Sequence, residues 1–112
     1  SLPGSSFLKD KKEKVEANFD LSDEDKEKLT EINGINKDSG KAVMLNKKLE
    51  EVGVVSAKAV SRGLNKADNV SVIVIDGSAT KNIIASAEEK GVKVIVASNF
   101  GSTDTNIKLM SF

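Results

Sequence analysis

The stretch from Val70 to Ala97, VSVIVIDGSATKNIIASAEEKGVKVIVA, leaves little freedom in how this chain can fold. Val70, Val72, Ile73, Val74 and Ile75 form a nearly continuous β-branched run, the pattern of a strand covered on both faces. Asp76-Gly77 ends the run, and Ser78 or Thr80 supplies a hydroxyl that can accept from an unpaired N–H at a helix start. Ile83, Ile84 and Ala87 make one apolar stripe, and Gly91 offers a left-handed stop. Val92, Val94, Ile95 and Val96 form a second apolar strand. Strand, helix and strand in this order make a βαβ unit, expected to be right-handed with parallel strands.

The residues that are missing prune the chemistry. The 112 residues contain no His, Cys, Tyr or Trp, so Ser-His-Asp and Cys-His catalysis within the chain is excluded, as are disulfides and zinc sites built on His or Cys. Carboxylates with a hard cation, lysine and hydroxyls remain. Lys plus Arg is 17 and Asp plus Glu is 17, a balance that argues against a dedicated nucleic-acid surface. No apolar run approaches the roughly 18 residues of a membrane helix. The chain opens on Ser1 rather than Met, which suggests an excised fragment or a processed chain, and Ser1 to Ser6 reads as no secretory leader. The default compartment is the cytoplasm.

Along the chain, residues 1–20 lack a clean apolar period and read as a linker or peripheral helix from an upstream domain; residues 21–112 read as one α/β domain. The mixed lysines and acids from Lys9 to Glu16 fit a solvated segment better than a basic docking segment. Ser22 is a plausible N-cap with Asp23, Glu24 and Asp25 behind it, Leu29 and Ile32 give the buried face, and Gly34 is read as the helix stop. Gly40–Leu45 and Leu49–Val54 read as a hairpin around Asn46-Lys47-Lys48. Ser56 is read as the cap of a short helix carrying Ala57, Val60 and Leu64, and Ile107–Phe112 as a last strand. The expected fold is a mixed β-sheet of about five strands containing the βαβ unit, with helices packed on the sheet.

Four motifs bear on function. Asp38-Ser39-Gly40-Lys41-Ala42 holds the Gly-Lys of a phosphate loop but lacks its first Gly and its hydroxyl, and it opens a strand. Asp23-Glu24-Asp25 has the DxD form of metal-binding nucleotidyl-transfer sites, yet acids are favoured at the start of a helix without any metal. Asp76, Gly77, Ser78 and Thr80 form a turn at a strand's C-terminal end, where α/β proteins bind ligands; turn and cap chemistry explains the same residues. Asn99 and Phe100 fall beside that turn if the two strands are neighbours, with Phe100 either a partner anchor or a lid on the sheet end. Met110 and Phe112 are the large side chains of the closing strand, and the hairpin and that strand are the expected sheet edges.

Taken together, Val74-Ile75-Asp76-Gly77, Thr80, Glu89-Lys90-Gly91-Val92-Lys93, Ile95-Val96 and the closing Ile107-Lys108-Leu109 give the run from Ser22 to Phe112 a pattern that resembles the C-terminal domain of archaeal DnaG-type primases. Lys81-Asn82 departs from the Gln-Arg that often follows the Thr in that family. The resemblance implies a parent chain whose toprim domain makes RNA primers with magnesium and contacts nucleic acid. It also implies an association with the archaeal RNA exosome through the cap subunit that carries a zinc ribbon. On this reading the present stretch is a non-catalytic protein-interaction domain with no catalytic, cofactor or metal residues of its own, and no membrane partner. Two other functions stay open at this point. A metal-dependent toprim-type nucleotidyltransferase needs Asp23, Asp25 and Asp76 to converge, and a small-ligand regulatory domain needs a pocket at the Asp76–Thr80 turn.

Overall fold

A computed structural model describes residues 21–112, so the linker or helix expected over 1–20 lies outside the described residues. The chain builds a five-stranded mixed sheet from β1 (Lys41–Leu45), β2 (Glu51–Ser56), β3 (Val72–Ile75), β5 (Val94–Val96) and β7 (Lys108–Met110), in the spatial order β2-β1-β3-β5-β7. The short strands β4 (Ser78–Ala79) and β6 (Asn99–Phe100) pair separately. β1 is antiparallel to β2 and β3, whereas β3, β5 and β7 run parallel. The helices are α1 (Asp23–Asn36), α2 (Val60–Lys66, preceded by a 3-10 turn at Ala57–Ala59) and α3 (Lys81–Glu89). α3 is the crossover between β3 and β5, as the sequence pattern requires.

The sheet separates two cores. Ile73 and Ile75 of β3 pack with Val60 and Leu64 of α2 and Ile83, Ile84 and Ala87 of α3. Val72 and Val74 point the other way, into a cluster with Leu29 of α1, Val43, Leu45, Val94 and Val96. Every residue of β3 and β5 is buried, because each strand has apolar cover above and below. The layers are therefore α2/α3, sheet, α1.

The ends of elements follow local hydrogen bonding, and here several expectations are corrected. Ser22 caps α1 as expected: its hydroxyl accepts from the Asp25 N–H, and the Asp25 carboxylate accepts from the Ser22 N–H, both at 3.1 Å. Gly34 does not stop the helix. It has no left-handed backbone, and α1 runs on to Asn36, whose buried side chain donates to the Lys41 carbonyl at 2.8 Å and ties the helix end to β1. Strand β2 begins at Glu51 rather than Leu49, because Asn46 organises a longer turn. Its Oδ1 accepts from the N–H groups of Lys48 (2.9 Å) and Glu50 (3.0 Å). That turn holds Leu49 at φ 63° and sends its side chain into the α1-side core. Ser56 precedes the 3-10 turn without a side-chain cap bond. Thr80, not Ser78, caps α3, accepting from the Ile83 N–H at 3.2 Å. Gly91 takes the left-handed conformation, φ 75°, just past α3.

Candidate functional site

Adjacent parallel strands deliver their C-terminal ends to one edge of the sheet, and β3 and β5 are direct neighbours. The turns that follow them, Asp76–Thr80 and Ser98–Gly101, therefore meet. They do so through backbone: β4 and β6 pair in parallel, Ser78 opposite Asn99 and Ala79 opposite Phe100. The Ser98 N–H donates to the Gly77 carbonyl and the Gly101 N–H to the Ala79 carbonyl, both at 2.8 Å. Gly77 adopts φ 126°, open to glycine and strained for other residues. A Cβ on Gly101 would lie 2.8 Å from the backbone nitrogen of Lys81, so the second turn needs glycine to approach the start of α3.

Two polar side chains of this turn cluster, Asp76 and Thr80, have structural partners. Asp76 accepts from the Gly40 N–H through Oδ2 at 2.6 Å, and its own N–H donates to the Lys41 carbonyl at 3.0 Å. The Thr80 hydroxyl caps α3. Ser78 and Asn99 are exposed at the start of the β4–β6 ladder. Phe100 is half-buried and packs against the α2/α3 core. Met110 is half-buried on the α1-side core, and Phe112 is 52% exposed just past β7. The structure thus brings Asp76, Gly77, Ser78, Thr80, Asn99 and Phe100 together, and it places Met110 and Phe112 on the edge strand next to β5 and in the tail that follows it.

The carboxylates of a nucleotidyl-transfer site do not come together. Asp23 and Asp25 open α1, whose far end at Asn36 sits against Lys41 and Val74, beside Asp76. Asp25 and Asn36 are eleven residues apart on that helix, about 16 Å at the helical rise. Among the described residues no group of three or more acids is arranged to hold a metal ion. Gly40-Lys41 opens β1 and does not lead into a helix, so no phosphate loop forms there.

Asn36 and Ser111, to which the sequence pattern assigns no role, fix these turns together with Gly101. Asn36 also donates to the Val74 carbonyl at 3.4 Å and accepts from the Ser39 hydroxyl at 2.7 Å. Ser111 donates to the Ala97 carbonyl at 2.6 Å and bolts the end of β7 to the end of β5. Gly101 permits the close approach just described. Nothing in their spacing marks the two polar residues; only the fold gives them partners.

These features define a three-layer α/β domain whose turn cluster is internally bonded and whose two outer strands, β2 and β7, have no strand partner on one side among the described residues. No family model matches the chain, and no solved structure does. A likeness does exist to the DNA primase DnaG of Methanopyrus kandleri (strain AV19), 34% identical over 68 residues. That stretch is 61% of this chain and 17% of the primase, so the chain contains a DnaG-related region and matches only a small part of that relative's length. Among the described residues no helix is long and apolar enough to cross a membrane.

Proposed function

We propose that this chain is a non-catalytic protein-interaction domain of an archaeal DnaG-like primase, and that it docks the parent chain onto the zinc-ribbon cap subunit of the archaeal exosome in the cytoplasm. The observation that carries the reading is the DnaG-related region. Its relative is an archaeal primase, and the motifs from Val74 to Leu109 resemble the C-terminal domain of that class. Two features of the fold support it. The carboxylates that could serve nucleotidyl transfer stand near opposite ends of α1 instead of converging, which supports a reading in which the toprim domain, its magnesium and the main nucleic-acid contact belong to another part of the parent chain. The edge strand β7 and the exposed Phe112 offer backbone pairing and an aromatic anchor.

The test is capture of the purified cap subunit by the immobilised 112-residue chain. Capture is expected, and Phe112→Ala is expected to weaken it by about 2 kcal/mol, the scale of an aromatic hot spot, with an unchanged melting midpoint. Phe100→Ala and Met110→Lys test the rest of that end of the sheet, and circular dichroism separates loss of contact from loss of fold. Absence of capture by the folded, unsubstituted 112-residue chain overturns the reading.

A further inference from the structure

The opposite edge of the sheet carries a second surface with its own chemistry. α1 covers β3 and the near side of β1 but stops short of β2. Val54 lies opposite Val43 in the β1–β2 ladder, so both side chains point to the α1 side of the sheet. Val43 is buried there, yet Val54 remains 44% exposed. Ile35, in the last turn of α1, is 79% exposed. Between helix and edge strand runs a groove of about 450 Å³ lined by Ile32, Ile35, Leu49 and Val54.

The backbone of β2 is available along the same line. Ala57 donates to the Gly40 carbonyl, which orients that pair toward β1. Alternation along an antiparallel ladder then turns Val55 and Gly53 toward β1, and the N–H and C=O of Val54 and Ser56 outward. Among the described residues no strand pairs with that side. Groove and open backbone together match an extended chain segment, whose alternate side chains would fall into the groove.

The charge around the groove selects the segment. The groove and the depression beside it on α1 share Lys28. Between them they carry Glu24, Asp25, Glu27, Glu31, Glu50 and Glu51 against Lys28 and Lys48 alone. In a chain whose formal net charge is zero, this surface is a local excess of negative charge. A cationic segment is attracted to it and an anionic one repelled. We infer that the groove between α1 and β2 is a docking site for an extended, lysine- or arginine-rich peptide segment of a partner protein, which adds a strand to the edge of β2 and places alternate apolar side chains against Ile35 and Val54.

The inference goes beyond docking at Phe112, which lies past the other edge of the sheet, and the two fail separately. The probe is a synthetic nonapeptide alternating valine and lysine, titrated to about 1 mM, the concentration that detects even weak association, into the isotope-labelled 112-residue chain. Amide shifts are expected at Val52–Ser56 and Ile32–Asn36. Binding is expected to fall at least about tenfold in Ile35→Lys, whose exposed position spares the fold, and in Val54→Lys. It is also expected to fall when glutamate replaces lysine in the peptide, and as salt is raised. Phe112→Ala is expected to leave peptide binding unchanged. The inference is overturned by an absence of shifts, by shifts confined to other surfaces, by equal binding of the glutamate peptide, or by undiminished binding in folded Ile35→Lys. Capture of the cap subunit with no peptide binding would remove this inference and leave the proposed function standing.

Discussion

The Gly40 N–H donates to Oδ2 of Asp76 at 2.6 Å, so the acid that closes β3 holds the turn that opens β1. The two residues are far apart in sequence, and the bond joins the ends of neighbouring antiparallel strands. Asp76 sits where an α/β protein commonly binds a ligand, yet its carboxylate has a structural partner. Asp76→Ala is expected to lower stability by about 1.5–3 kcal/mol at most, the range for a hydrogen bond to a charged group, and less if solvent replaces the carboxylate. Asp76→Asn, which keeps an acceptor oxygen, is expected to lose less. Urea titration of the two variants gives the comparison, and a midpoint for Asp76→Ala equal to that of the parent would show the bond to be unimportant for folding.

Asn36 is the buried polar residue of the α1-side layer, 7% exposed, with its amide shared between the carbonyls of Lys41 and Val74. Asn36→Ala leaves those contacts unmade next to an apolar core. A loss of about 1–3 kcal/mol is expected in chemical denaturation. Asn36→Asp replaces a donor with an acceptor facing two carbonyls and is expected to be worse than alanine.

Two glycine substitutions should act in opposite directions. Gly101→Ala drives a methyl against the backbone of Thr80 and Lys81, and a loss of about 1–3 kcal/mol is expected from overpacking. Gly34 lies inside α1 with a right-handed backbone, and a Cβ there meets nothing within 4 Å. Gly34→Ala is therefore expected to raise stability by about 0.5–1 kcal/mol. Melting curves of the two variants settle the pair: an upward shift in Gly101→Ala or a downward one in Gly34→Ala would contradict the packing.

Val74 and Ile95 are fully buried on opposite faces of the sheet. Val74→Asp or Ile95→Asp places an unpaired charge in one core or the other, at several kcal/mol or more. That is comparable with the whole stability of a small domain, about 5–15 kcal/mol. Both variants are expected to be unfolded by circular dichroism. A cooperative transition near the parent midpoint in either would be incompatible with cover on both faces.

The proposed interaction role carries its own expectation about activity. The purified chain should incorporate no ribonucleotides on a DNA template. Template-dependent incorporation that disappears in Asp23→Ala would bring back the nucleotidyltransferase reading despite the distance along α1.

The central strands were readable because their residues leave few alternatives. Val72–Ile75 and Val94–Val96 are β-branched throughout, and only a strand covered on both faces accommodates such runs. The start of α1 was readable from Ser22 and Asp25, whose reciprocal bonds are local. Its end was not, since Asn36 is held by β1 and β3 rather than by its neighbours in sequence. The onset of β2 was misplaced for a similar reason: a side chain, Asn46, sets the turn. The β4–β6 ladder left no pattern because backbone alone makes it. The grouping of Asp76 with Phe100 followed from strand adjacency, whereas the bond from Gly40 to Asp76 needed the antiparallel placement of β1, which the hairpin pattern did not specify.

The β4–β6 ladder bears on how this domain can vary in length. Surface connections ordinarily absorb insertions at small cost, since loop entropy grows slowly with length. The segment from Gly77 to Gly101 is different at both ends. One extra residue between Gly77 and Thr80, or between Ser98 and Gly101, would slip the pairing of Ser78 with Asn99 and carry Gly101 away from the start of α3. Length changes are therefore barred at these two turns, although they look like loops, and are directed to connections outside them, such as the stretch between Ser102 and Asn106.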